Sequence, residues 1–122
     1  MTSTQKAEKL NPMKMAIILI YALSVGYASL SPASGISVGD WDKLAHFLTY
    51  GLFAVLAYWV VKDSKARLLV CIAIVIYSGL IEVGQSFVPG RFMSGYDFLA
   101  NTLGVIIGAI TVRFLAPSVA RN

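Results

Sequence analysis

The chain has 122 residues, of which 57% are hydrophobic and only 13% charged, with a net charge of +4. A soluble domain carries about 25% charged residues, so this chain has too few to coat a globule, and it is too apolar to be disordered. The single Cys71 excludes a disulfide scaffold and the length excludes a soluble two-domain enzyme, which leaves one small integral membrane domain over residues 1–122.

The first apolar run, Met15–Leu30, is short for a membrane span but can start earlier. Asn11 is a good N-cap and Pro12 suits the first helical position, so the helix is expected over 12–30. Its basic start and the small residues near Ala28-Ser29 resemble a signal peptide. The apolar stretch is long for that role and three more runs follow, so an uncleaved helix is expected. Ser31-Pro32-Ala33-Ser34-Gly35 then reads as a turn.

The second run is Leu44–Val61, with Asp40 and Asp42 as candidate caps. Trp41, Tyr58 and Trp59 near its ends suit a membrane interface. The charged stretch from Lys62 to Arg67 is short, so the second and third helices should be antiparallel neighbours. The third run, Leu68–Val88, leads into the turn Val88-Pro89-Gly90. The fourth is Phe98–Ala116. Ser94 and Asp97 precede it at capping-box spacing. Gly104 and Gly108 form a small-xxx-small pair suited to close helix packing.

A spanning helix needs about 20 mostly apolar residues, and an isolated strand would leave its backbone unpaired in lipid. The chain therefore reads as an all-α integral membrane four-helix bundle, with helices near 12–30, 44–61, 68–88 and 97–116. Lys and Arg set its orientation. Lys6, Lys9 and Lys14, then Lys62, Lys65 and Arg67, then Arg113 and Arg121 make eight on one side, against Lys43 and Arg91 on the other. The positive-inside rule puts both termini and the central loop in the cytoplasm. The basic balance is thus a topology signal with some affinity for anionic lipid. No basic stripe with interleaved aromatics points to nucleic acid.

The remaining polar residues gather at one depth. Asp42 and His46 share a face at the start of helix two, and Tyr50 continues it. Glu82 and Gln85 lie on helix three. With Leu68 at the inner end, Glu82 lies about 21 Å further along the axis at a rise of about 1.5 Å per residue. Asp97 and Asn101 open helix four, and Arg91 lies in the loop before it. A buried charge at this depth costs several kcal/mol unless paired, roughly 2.5–3.5 kcal/mol for Asp on insertion scales. The expected pairs are Glu82 or Asp97 with Arg91, and His46 with a carboxylate. Taken singly, caps and solvated loop residues explain most of these positions. Glu82, a lone acid within an apolar helix, points to function.

These residues carry a resemblance. Asp42-Lys43-Leu44-Ala45-His46-Phe47-Leu48-Thr49-Tyr50 resembles the DKxxHFxxY motif of the VanZ-like family. Glu82-Val83-Gly84-Gln85, Pro89-Gly90-Arg91, Asp97, Asn101 and Gly104 resemble its continuation. The match covers roughly residues 40–108. It implies a small multi-pass membrane protein of the bacterial cytoplasmic membrane, in a family named for a protein linked to teicoplanin resistance. An envelope role is implied more firmly than any reaction.

Three functions follow as expectations. The first is a protein that binds or modulates an envelope component. Its outward pocket of Asp42, Lys43, His46, Glu82, Gln85, Arg91, Asp97 and Asn101 would hold a lipid-linked, phosphate-bearing precursor, since Arg suits bidentate phosphate contact. The second is an intramembrane enzyme acting on a lipid phosphoester. His46 would be its base or nucleophile, oriented by Asp42 or Asp97, with Glu82 as a second acid/base group. The third is a small proton-coupled exporter dependent on Glu82. No cofactor is implied. One His among scattered carboxylates lacks dedicated metal-ligand spacing, so no metal is expected. Membrane lipids are the expected partners, and the residues leave the oligomeric state open.

Overall fold

The computed structural model describes residues 9–32 and 41–118. The Asp40 cap and the Ala33-Ser34-Gly35 part of the first turn lie outside these residues. Four helices run in alternating directions: α1 (Pro12–Leu30), α2 (Trp41–Val60), α3 (Ser64–Gln85) and α4 (Gly95–Leu115). All four are long and apolar enough to cross a membrane, and the described residues contain no strand.

The helix ends follow from local chemistry. Asn11 caps α1 as expected, its Oδ1 accepting from the Met13 amide at 2.9 Å. The helix stops at Ser31, before Pro32. α3 begins four residues earlier than its apolar run, because Asp63 Oδ2 caps it by accepting from the Ala66 amide at 2.9 Å. The charged residues after Asp63 are thus a helical turn rather than a loop. Arg67, only 8% exposed, bends back to donate to the carbonyls of Val61 and Tyr58, at 2.6 and 2.7 Å. Those carbonyls lie at the end of α2, where a cation opposes the helix dipole. α3 also ends earlier than expected, at Gln85. The tight turns Ser86 N–H to Val83 O and Phe87 N–H to Gly84 O close it. Gly90 then adopts φ 77°, a left-handed conformation that glycine takes without strain.

α2 and α4 form the closest pair. A Cβ at Gly104 would overlap the Phe47 carbonyl, and one at Gly108 would overlap Gly51. Their small side is therefore used within the bundle. Lipid drives little helix association, so such backbone proximity and interhelical hydrogen bonds hold the fold. The buried core is Tyr50, Phe53, Ala54 and Ala57 of α2 with Ile74 and Val105. Tyr21 meets Phe53 edge to face at 5.1 Å between ring centres. α1 buries no residue fully and leans on this core through Ile18, Tyr21, Ala22 and Val25.

Candidate functional site

The antiparallel order brings the starts of α2 and α4 to the same end of the bundle as the close of α3. The eight candidate residues collect there in three groups.

The first group centres on His46. Its Nδ1 lies 3.0 Å from Asn101 Oδ1. A carbonyl oxygen only accepts, so Nδ1 carries the hydrogen and Nε2 faces the acids. Nε2 lies 3.6 Å from Asp42 Oδ1 and 3.7 Å from Asp97 Oδ2. Lys43 Nζ pairs with Asp97 and lies 3.6 Å from Asp42 Oδ2. The expected His–carboxylate contact is present, with two acids rather than one. Asn101 is 1% exposed and so holds the ring from within the core.

The second group is a helix start. Ser94 Oγ accepts from the Asp97 amide at 3.3 Å, which is half of a capping box. The other half comes from a different helix. Glu82 Oε2 accepts from the Ser94 amide at 3.1 Å, leaving Asp97 free to face Lys43 and His46. Glu82, 3% exposed, thus braces α3 against the start of α4.

The third group is Arg91 and Gln85, and here the expected pairing is corrected. The described contacts of Arg91 are not to Glu82 or Asp97. Its Nε donates to Ser31 O at 2.9 Å and its Nη2 to Ala28 O at 3.1 Å. Gln85 Nε2 donates to Ser29 O at 3.0 Å. The last carbonyls of a helix have no partner within it and carry negative partial charge. Arg91 and Gln85 supply both donors and charge to the end of α1, so the acids do not compete for them.

A cavity of about 390 Å³ lies between these groups and α1, within the usual range for ligand pockets. Asp42, His46, Gln85 and Arg91 line it, with Thr49 and Tyr50 of α2. Tyr50 Oη is buried without a hydrogen-bond partner. Lys43, Glu82, Asp97 and Asn101 stand outside this lining and act on it through His46 or through the start of α4. Sequence reasoning misses the α1 wall of Ser24, Val25, Ala28 and Ser29. Ser24 and Ala28 lie four apart on one helix face, which is the available signal.

A family model described as VanZ/LLP1 matches residues 1–116. The chain belongs to the VanZ/LLP1 family. It is a multi-pass membrane protein by this membership and by its four apolar helices. An uncharacterized protein of the fission yeast Schizosaccharomyces pombe is 31% identical over 96 residues, which cover 74% of this chain. The chain spans only 56% of that relative's length. The relative is eukaryotic, so similarity of this kind does not by itself place the chain in a bacterium. No solved structure matches.

Proposed function

We propose that this VanZ/LLP1 member binds the phosphate-bearing head group of a membrane lipid in the cavity beside His46 and Arg91. The ligand class is a lipid-linked envelope precursor at the outer face of a bacterial cytoplasmic membrane, and altered glycopeptide sensitivity is a consequence of holding it. One observation carries the reading: the cavity sets the apolar side chains of Val25, Ala28 and Ala45 against Arg91, Gln85, His46 and the unpartnered Tyr50 hydroxyl. That is the polarity of a lipid's neck and head. Arg91 gives two of its five N–H donors to α1, which leaves donors for an anion.

The test is binding of a polyprenyl phosphate to purified protein in detergent, compared with the polyprenol lacking the phosphate. A hydrogen bond to a charged group contributes about 1.5–3 kcal/mol. Arg91→Ala should therefore weaken phosphate-lipid binding about tenfold or more and leave polyprenol binding unchanged, with Arg91→Lys intermediate. Equal binding of both lipids, or equal binding by the folded Ala variant, rejects the reading.

The fixed His46 supports a second reading. An imidazole oriented through Nδ1 and flanked by carboxylates is the arrangement of a general base. Phosphoester turnover that is abolished in a folded His46→Gln variant would favour an intramembrane hydrolase over a binding protein.

A further inference from the structure

A cluster of acidic residues lies beside the cavity. Asp42, Asp97 and Glu82 converge there, and Lys43 supplies one positive charge to the first two. The Glu82 carboxylate interacts electrostatically with Asp97, His46 and Lys43. Its Oε1 is buried and has no hydrogen-bond partner. His46 adds a further tension. With Nδ1 donating to Asn101, a neutral ring turns the Nε2 lone pair toward oxygens of two carboxylates. Three electron-pair donors then face one another across a gap that a cation, or a proton on Nε2, makes favourable.

We propose that Asp42, His46 and Asp97 bind a divalent metal ion, and that Lys43 occupies its place when the ion is absent. One donor atom from each residue lies within 4.8 Å of the others. Ligand atoms at about 2.0–2.2 Å from a metal are at most roughly 4.4 Å apart, so modest side-chain movement closes the site. One imidazole nitrogen with two carboxylate oxygens suits Zn²⁺ or Mn²⁺. Asn101 is the outer-shell partner that such a histidine needs to hold its ring and tautomer. The buried Glu82 Oε1 beside this cluster is a further polar atom without a hydrogen-bond partner. The sequence leads to no expectation of a metal, because Asp42 and His46 sit on α2 and Asp97 on α4, and no local spacing records their meeting.

This site goes beyond the lipid reading and is tested without lipid. Its one consequence for that reading is that an ion beside His46 and Asp42 would add positive charge at the cavity wall.

The experiment is metal binding to the full chain in detergent. The protein is stripped with chelator and titrated separately with Zn²⁺ and Mn²⁺, with bound metal counted by elemental analysis and Mn²⁺ followed by paramagnetic resonance. The expected result is one ion per chain. Asn101→Ala should weaken binding about tenfold or more, as outer-shell changes do. Lys43→Met should tighten it, because the competing ammonium is gone. A purely structural Lys43 gives no such gain. No stoichiometric binding of either ion to folded wild-type protein overturns the proposal, whatever the variants do. So does binding that the Lys43→Met variant leaves unchanged or weakened while folded.

Discussion

Glu82 is the residue that apolar surroundings single out, and the structure gives it a second duty beside its charge. Its carboxylate accepts from the Ser94 amide and completes the cap that Ser94 begins. A buried amide left without an acceptor costs about 1–3 kcal/mol, so Glu82→Ala should lower metal-free stability by that much. Glu82→Gln keeps an acceptor oxygen and should retain most of it. Ser94→Ala should cost about 1 kcal/mol. The Glu82→Ala, Ser94→Ala double variant should lose less than the sum, because both side chains serve one helix start. Thermal unfolding in detergent measures all four. A Gln variant as unstable as the Ala variant would show that the charge, not the hydrogen bond, holds α4. The residues themselves are legible in the sequence, since an acid, a histidine and an arginine are conspicuous in so apolar a chain. The partners of Arg91 are not. They are the carbonyls of Ala28 and Ser31, and backbone acceptors leave no mark in a sequence.

At the scale of the helices, the pair α2 and α4 depends on what Gly104 and Gly108 lack. A methyl at either position meets backbone of Phe47 or Gly51, and backbone gives way only if the helices separate. Overpacking of a core costs about 1–3 kcal/mol, occasionally more. Gly104→Ala and Gly108→Ala should each show that loss in unfolding by titrated denaturing detergent. Gly95→Ala, which meets nothing within 4 Å, should show none. The separation would also pull Asp97 and Asn101 away from His46, so the two core variants should lose metal binding and Gly95→Ala should not. The small-residue spacing is visible in the sequence of α4. Its receiving surface is not, because Gly51 stands alone among larger residues of α2. The start of α3 is hidden for a related reason. Charges after Asp63 look like a loop until one sees Asp63 cap them and Arg67 fold back along α2.

Over the whole molecule, the number of helices is readable from apolar run length alone, whereas the peripheral place of α1 is not. Apolar residues face lipid as readily as they face a core, so hydropathy does not distinguish a central helix from an outer one. α1 buries no residue fully, yet it forms one wall of the cavity and takes hydrogen bonds from Gln85 and Arg91 at that end. Orientation decides what this cavity meets. If each helix spans once, an even number returns the chain to its starting side. The excess of Lys and Arg, eight against two, then predicts the Ser64 end in the cytoplasm and the Arg91 end outside. The expected result is tested with single cysteines in a Cys71→Ser background. Phe92→Cys, at a site 85% exposed beside Arg91, should react with an impermeant maleimide on intact cells. Ser64→Cys, at the opposite end, should react only after the membrane is opened. The reverse pattern would turn the cavity toward the cytoplasm, and a lipid-linked precursor displayed on the outer leaflet could then no longer be its ligand.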